Sequence, residues 1–306
     1  MVDKVRHQAA LRLAMIPNTH PLHKAVNQAA RHFVKKHHSL LHELMFKYKL
    51  KPKLLEKIPV TRQNPKWEPG IAIRIAEDKE KAREEDNREK VDIKVYTDGS
   101  RIEGQIGAAA VLYRDGVLKR SRRMKLGSEK HHTVFEGEGI GMILGIELIR
   151  EEEVADGMVS IEINNVAAIS TTHEIRPCPS HYIWDILHQR VNMVYNKHKG
   201  LDLLVKWTPG HIGIRGNEKA NEEAKKAARD GLSPTNKLPA PLRKELPRSK
   251  SVARQEFLRK LNISAQDIWN SSPRFEKMTR LDPNLKHNSF AKLTNKLHRE
   301  QASLLF

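Results

Sequence analysis

In the segment KVYTDGSRIEG, residues 94–104, an alternating apolar run through Ile93, Val95 and Tyr96 ends in Asp98-Gly99-Ser100. A short carboxylate at the end of a buried strand, followed by glycine, suits the holding of a cation, and Asp98 is the first candidate site residue. Asp-Gly is also a common turn dipeptide, and on these residues alone that reading stays open. Three further stretches add to the first: Gly107-Ala108-Ala109-Ala110-Val111 as a second strand, Glu138 opening a helix, and Trp207-Thr208-Pro209-Gly210-His211 closing a strand-like run. An imidazole changes charge near neutrality, so His211 suits proton transfer, though a histidine bonding loop backbone is the plainer alternative. His32, His37, His38 and His42 lack paired cysteines or acidic partners and predict a solvated basic face rather than a metal centre.

Composition bounds what can carry these residues. Of 306 residues only 39% are apolar and 5% aromatic, which predicts one packed domain in the strand-rich middle third with helical arms on both sides. A net charge of +18 points to a polyanionic partner, because clustered Lys and Arg gain free energy by displacing counterions from phosphate. Acidic membrane surfaces are the rival. No stretch approaches about 18 uninterrupted apolar residues and no signal peptide opens the chain, so neither a spanning nor a secreted protein is expected. The single cysteine, Cys178, excludes an internal disulfide framework and a cysteine-based zinc cluster, and fits a reducing intracellular compartment, nucleus or cytoplasm.

The elements follow from periodicity. Residues 1–50 predict two helices, Val5 to Met15 and Leu22 to Tyr48, and residues 50–70, spaced by Pro52, Pro59, Pro65 and Pro69, predict an extended connector. Glu77 to Lys90 is a charged helix or linker, too polar all round to carry its own core. Strands are expected near 92–98, 106–114 and 117–125, the last two joined at Asp115-Gly116. A helix over Thr133 to Arg150, a strand at Ser160 to Ile163, a short helix at Ala167 to Thr172, a helix at Ile183 to His198, a strand at Leu201 to Thr208 and a helix at Asn217 to Arg229 complete the order. Three strands and then alternating helices and strands describe an α/β fold, a mixed five-stranded sheet with helices on its faces. Three regions result: a basic helical arm and connector at 1–90, the central domain at 91–231, and a proline-rich linker with a basic tail at 232–306. In the tail, Val252 to Asn270 and Phe290 to Leu305 predict amphipathic helices. The closing apolar run Ser303-Leu304-Leu305-Phe306 predicts a longer parent chain.

VYTDGS, GAAAVLY, HTVFEGEG, IEINNVAAI and WTPGHIGIRGNEKANEEAK, in this order and spacing, resemble the ribonuclease H domain of non-LTR retrotransposon reverse transcriptases, particularly fungal ones. The resemblance covers about 91–231; the flanks look like sequence around that domain in the same elements. It implies a ribonuclease H-like fold of order βββαβαβα and a nuclease that cuts the RNA strand of an RNA/DNA hybrid with two divalent ions, Mg²⁺ or Mn²⁺, held by four acidic side chains. Such ions want hard oxygen ligands, and two about 3.5 to 4 Å apart stabilise the attacking and leaving oxygens. Asp98 matches the first acidic position. Glu138 matches the second, with Glu136 a nearby competitor. His211 matches a residue that assists water or product departure, and Gly99, Ser100, Thr133 and Asn165 match positions near the substrate backbone.

The other two ligand positions depart from the pattern. Asn164, before Asn165-Val166-Ala167-Ala168-Ile169, and Asn221, after Gly216-Asn217-Glu218-Lys219-Ala220, stand where the family has Asp. Two carboxylates leave about two positive charges uncompensated, and like-charged ions a few Å apart repel by several kcal/mol even at an effective dielectric near 20. The expectation is a weakly held metal and impaired hydrolysis. Glu162 and Glu218 are the acids near enough in sequence to substitute.

Overall fold

The computed structural model describes residues 2–306 except 32–35, 37, 89–90, 211–212, 230–231, 282–291, 293 and 305–306. Residues Met1–Gln255 form one compact unit and Glu256–Phe306 a second, so the divisions expected after residues 90 and 231 do not coincide with this one.

The first unit is built on a mixed sheet of β1 (Ala72–Arg74), β2 (Ile93–Ile102), β3 (Gln105–Arg114), β4 (Val117–Ser128), β5 (Gly157–Ile163) and β6 (Leu201–Trp207), in the order β1-β6-β5-β2-β3-β4. β2, β3 and β4 form the expected antiparallel meander. Asp115 and Gly116 both have positive φ, 52° and 72°, which matches the two-residue turn whose twist suits a hairpin. β5 joins β2 in parallel, and β6 joins β5 in parallel. The count is six strands rather than five: Ala72–Arg74 pairs in parallel with Leu204–Lys206 at the sheet's end. All three residues of β1 are exposed, so they carry no alternation by which sequence could mark them. Their lead-in is anchored: Ile71 lies in the main core, its carbonyl accepts from the His173 ring at 2.8 Å, and the Gly70 carbonyl accepts from the Tyr195 hydroxyl at 2.5 Å.

Alternation along β2 sends Ile93, Val95, Thr97 and Gly99 to one face, and Lys94, Tyr96, Asp98 and Ser100 to the other. The first face is covered by α5 (Val134–Glu151), which is buried from Glu136 through Ile149, with α6 (Val166–Thr171) and α7 (His181–Lys197) completing the main core around Trp184. Ala220 of α8 (Arg215–Arg229) packs on the second face with Tyr96, Val111 and Tyr113. Each helix meets strand backbone at one glycine. A Cβ on Gly99 would lie 2.5 Å from Glu138 N, and one on Gly107 would lie 2.3 Å from Ala228 N.

Before the sheet come α1 (Val2–Ala14), α2 (His23–Arg31) and α3 (Leu40–Lys47), and α4 (Lys79–Arg88) lies between β1 and β2. The second expected N-terminal helix is therefore interrupted. At the start of α3 the His42 imidazole accepts the Ser39 N–H at 3.3 Å, a capping role; His32 and His37 lie outside the described residues. The helices are more than a solvated arm. Leu11, Met15, Val26, Met45 and Leu55 form a second core that includes Ala253 of α9 (Lys250–Asn270). The proline-rich linker is packed too, with Leu238, Leu242 and Leu246 in the main core.

The second unit holds the rest of α9, α10 (Phe275–Leu281) and α11 (Arg299–Ser303), with Trp269 and Phe275 in edge contact at 6.2 Å. Residues 290, 291, 293 and 305 of the second expected tail helix lie outside the described residues.

Candidate nucleic-acid and cation site

Asp98 and Glu138 come together although they arise on opposite sides of β2. Asp98 points to the α8 face and is 4% exposed; Glu138 sits in the second turn of α5, 3% exposed, where that helix crosses Gly99. The Glu138 carboxylate accepts the Gly99 N–H, yet burial and then the adjacent Asp98 charge push its pKa well above the usual carboxylate range. Its Oε2 is buried with no hydrogen-bond partner among the described residues.

The competitor Glu136 is occupied elsewhere. Its Oε2 accepts from the Thr133 N–H at 2.7 Å and the Thr133 hydroxyl at 3.1 Å, while its own N–H donates to Thr133 Oγ1 at 3.1 Å, a reciprocal cap on α5. Glu138 is thus the acid presented to Asp98. The same cap gives Thr133 a structural task, as the cap on Ala168 N at 3.1 Å gives one to Asn165. Gly99 is required for the approach of α5, and Ser100 lies buried beyond Asp98.

Asn164 reaches the pair. Its Nδ2 donates to Asp98 Oδ1 at 2.8 Å, and its backbone carbonyl accepts from Trp207 Nε1 at 3.2 Å, so the indole fixes the strand end that carries it. Asn221 is half-buried on α8, one residue past Ala220; among the described hydrogen bonds Asp98 is joined by Asn164 and not by Asn221. Glu162 shares the sheet face of Asp98 but is committed one row away: it accepts from the Thr208 hydroxyl and stands 4.0 Å from Lys206 Nζ. Burial pushes its pKa up, and the Lys206 charge pulls the other way. Glu218 is exposed at the start of α8. His211 lies outside the described residues.

Two carboxylates and one amide N–H turned toward the first of them are a poor donor set for a pair of divalent ions. An ammonium-like N–H contact satisfies an oxygen that a metal would need, and among the described residues no group of three or more His, Cys, Asp and Glu could hold a metal. The four-acid, two-ion arrangement therefore does not fit these side chains.

Beside α5 a cavity of about 580 Å³ is lined by hydroxyls of Thr133, Ser170, Thr171, Ser180 and Ser251, with Glu174 its acid. Thr133 and Ser180 are the N-caps of α5 and α7, and Ser251 is in the first turn of α9. Three helix N-termini, each a partial positive charge, thus converge on a hydroxyl-rich hollow. Thr133 was marked by sequence as near the substrate backbone. Ser180 and Ser251 carried no such signal, because their convergence depends on where distant helices begin.

No protein-family model and no curated protein matches this chain. Solved structures of similar shape include the N-terminal RNase H domain of a Mycobacterium tuberculosis protein fused to maltose binding protein, at 14% identity and a TM-score of 0.35 over 45% of this chain and 94% of that one. LC11-RNase H1 in complex with an RNA/DNA hybrid is 17% identical, with a TM-score of 0.35 over 44% of this chain and 98% of that one. The PFV RNase H domain is 14% identical, with a TM-score of 0.36 over 46% and 97%. These overlaps are partial, and the fold assignment rests on the strand order and helix placement described above.

Proposed function

We propose that this chain is a ribonuclease H-like nucleic-acid-binding protein of retroelement origin that holds the backbone of an RNA/DNA hybrid or duplex and hydrolyses it weakly or not at all. Binding is supported by the net charge of +18 and by the hydroxyl-lined cavity at three helix N-termini, which suits phosphate oxygens. Impaired hydrolysis is supported by one observation above all: the Asp98 carboxylate receives the Asn164 N–H where a third carboxylate would be needed. Any Mg²⁺ or Mn²⁺ would be held by Asp98 and Glu138, with less negative charge than two ions require.

The test is a labelled RNA/DNA hybrid incubated with Mg²⁺ or Mn²⁺, comparing the native chain with Asn164→Asp plus Asn221→Asp. The double variant is expected to cleave at least about a hundredfold faster, the equivalent of roughly 3 kcal/mol of transition-state stabilisation. Equal rates would refute the impairment. A gel shift on the same hybrid is expected to show binding that weakens as salt rises; no shift at low salt would leave a folded retroelement segment without a nucleic-acid role.

A further inference from the structure

Glu56, in the proline-spaced connector, is among the deepest acids of the chain at 1% exposure. Its Oε2 accepts the Ser180 N–H at 2.6 Å and its Oε1 accepts the Lys250 N–H at 2.6 Å. Ser180 is the N-cap of α7 and Lys250 is the first residue of α9, so one carboxylate satisfies amides at two helix starts that would otherwise lack acceptors. The segment around it is pinned, with Glu56 N–H donating to the Arg248 carbonyl at 3.2 Å and Arg248 N–H to the Leu54 carbonyl at 2.7 Å. The same two helix starts wall the hydroxyl-lined cavity through Ser180 and Ser251.

We propose that Glu56 is an internal anion seated behind this cavity, and that its charge sets how strongly the cavity takes a tetrahedral oxyanion such as a nucleic-acid phosphate. The proposal rests on the reading that backbone phosphates enter there. A charged Glu56 cancels much of the positive potential of α7 and α9, and a neutral Glu56 restores it. Three groups face it: Glu136 from α5, Tyr182 from α7 and Lys250 from α9. Burial, reinforced by Glu136, pushes its pKa up to about 7 against the pull of its two N–H donors, which places its change of charge near neutrality. The cavity's own ionisable walls stay fixed in that range. Burial holds His181 down at about 4, and hydrogen bonds from Arg176 hold Glu174 at about 2.

Sulfate, a dianion at every pH concerned, is the probe, titrated calorimetrically into the whole chain at about pH 6 and about pH 8. The native protein is expected to bind it about fivefold or more tightly at the lower pH, and Glu56→Gln to bind equally at both, as tightly as the native protein at the lower. Equal native affinities at the two pH values would overturn the proposal, as would an unchanged pH dependence in Glu56→Gln. Should that variant not fold, the native pH series decides alone. Hybrid binding without any sulfate binding sinks this inference and leaves the hybrid reading standing; pH-dependent sulfate binding without hybrid binding does the reverse.

Discussion

Asn164 Nδ2 lies 2.8 Å from Asp98 Oδ1, and its proton points at the carboxylate. Replacing that donor by a third carboxylate, Asn164→Asp, removes a charge-assisted hydrogen bond and adds repulsion, a cost of roughly 2 to 4 kcal/mol. In a chelator the variant is expected to melt well below the native chain and to recover in millimolar Mg²⁺, while the native melting temperature ignores Mg²⁺. An equal Mg²⁺-induced rise in both proteins would contradict this account.

Glu136 and Glu138, two residues apart on α5, should respond in opposite ways to neutralisation. Glu136→Gln disturbs the cap with Thr133 and is expected to lose about 1 kcal/mol in urea unfolding. Glu138→Gln relieves a buried carboxylate beside Asp98 and is expected to be neutral or stabilising. Loss of stability in Glu138→Gln matching that of Glu136→Gln would show that both acids are structural.

At Gly99 a methyl group has nowhere to go. The added carbon would lie 2.5 Å from Glu138 N and 2.6 Å from Gly137 C, both backbone atoms that cannot swing aside. Gly99→Ala is expected to cost about 3 kcal/mol or more by forcing α5 off the strand, and to weaken hybrid binding in the same gel shift. Native-like stability would mean that the helix has slack the close packing does not reveal.

Glu56 also makes a prediction for stability. Its pKa is raised from 4.5 to about 7 on folding, so the stability it contributes is fully present below about 4.5 and is lost as pH climbs through about 7. The shift corresponds to at most ~3 kcal/mol. Urea unfolding of the native chain and Glu56→Gln between about pH 5 and 8 should give a steeper decline in the native protein. Parallel pH profiles would assign the titration to other groups.

The central elements were legible because they obey local rules. β2 and β3 alternate, Asp115-Gly116 makes its own turn, and the stretch HTVFEGEG carries a capping threonine three residues before its glutamate. Asp98 and Glu138 were legible as a pair through the order of motifs. What stayed hidden was non-local. Nothing in PKLLEKIPV announces that Glu56 will meet two helix starts far along the chain, and the prolines between 234 and 247 mask Leu238, Leu242 and Leu246 as core residues. Three exposed residues, Ala72–Arg74, are too few to show a period.

That short strand has a practical bearing. β1 lies along the outer side of β6, held there by Gly70 and Ile71, and a fragment starting at residue 91 would strip it away. β6 would then offer a row of unsatisfied amides and carbonyls to any second copy, the template from which intermolecular sheets grow. A minimal domain trimmed to the motif-bearing region would therefore tend to self-associate, and assays run on it would report on aggregates.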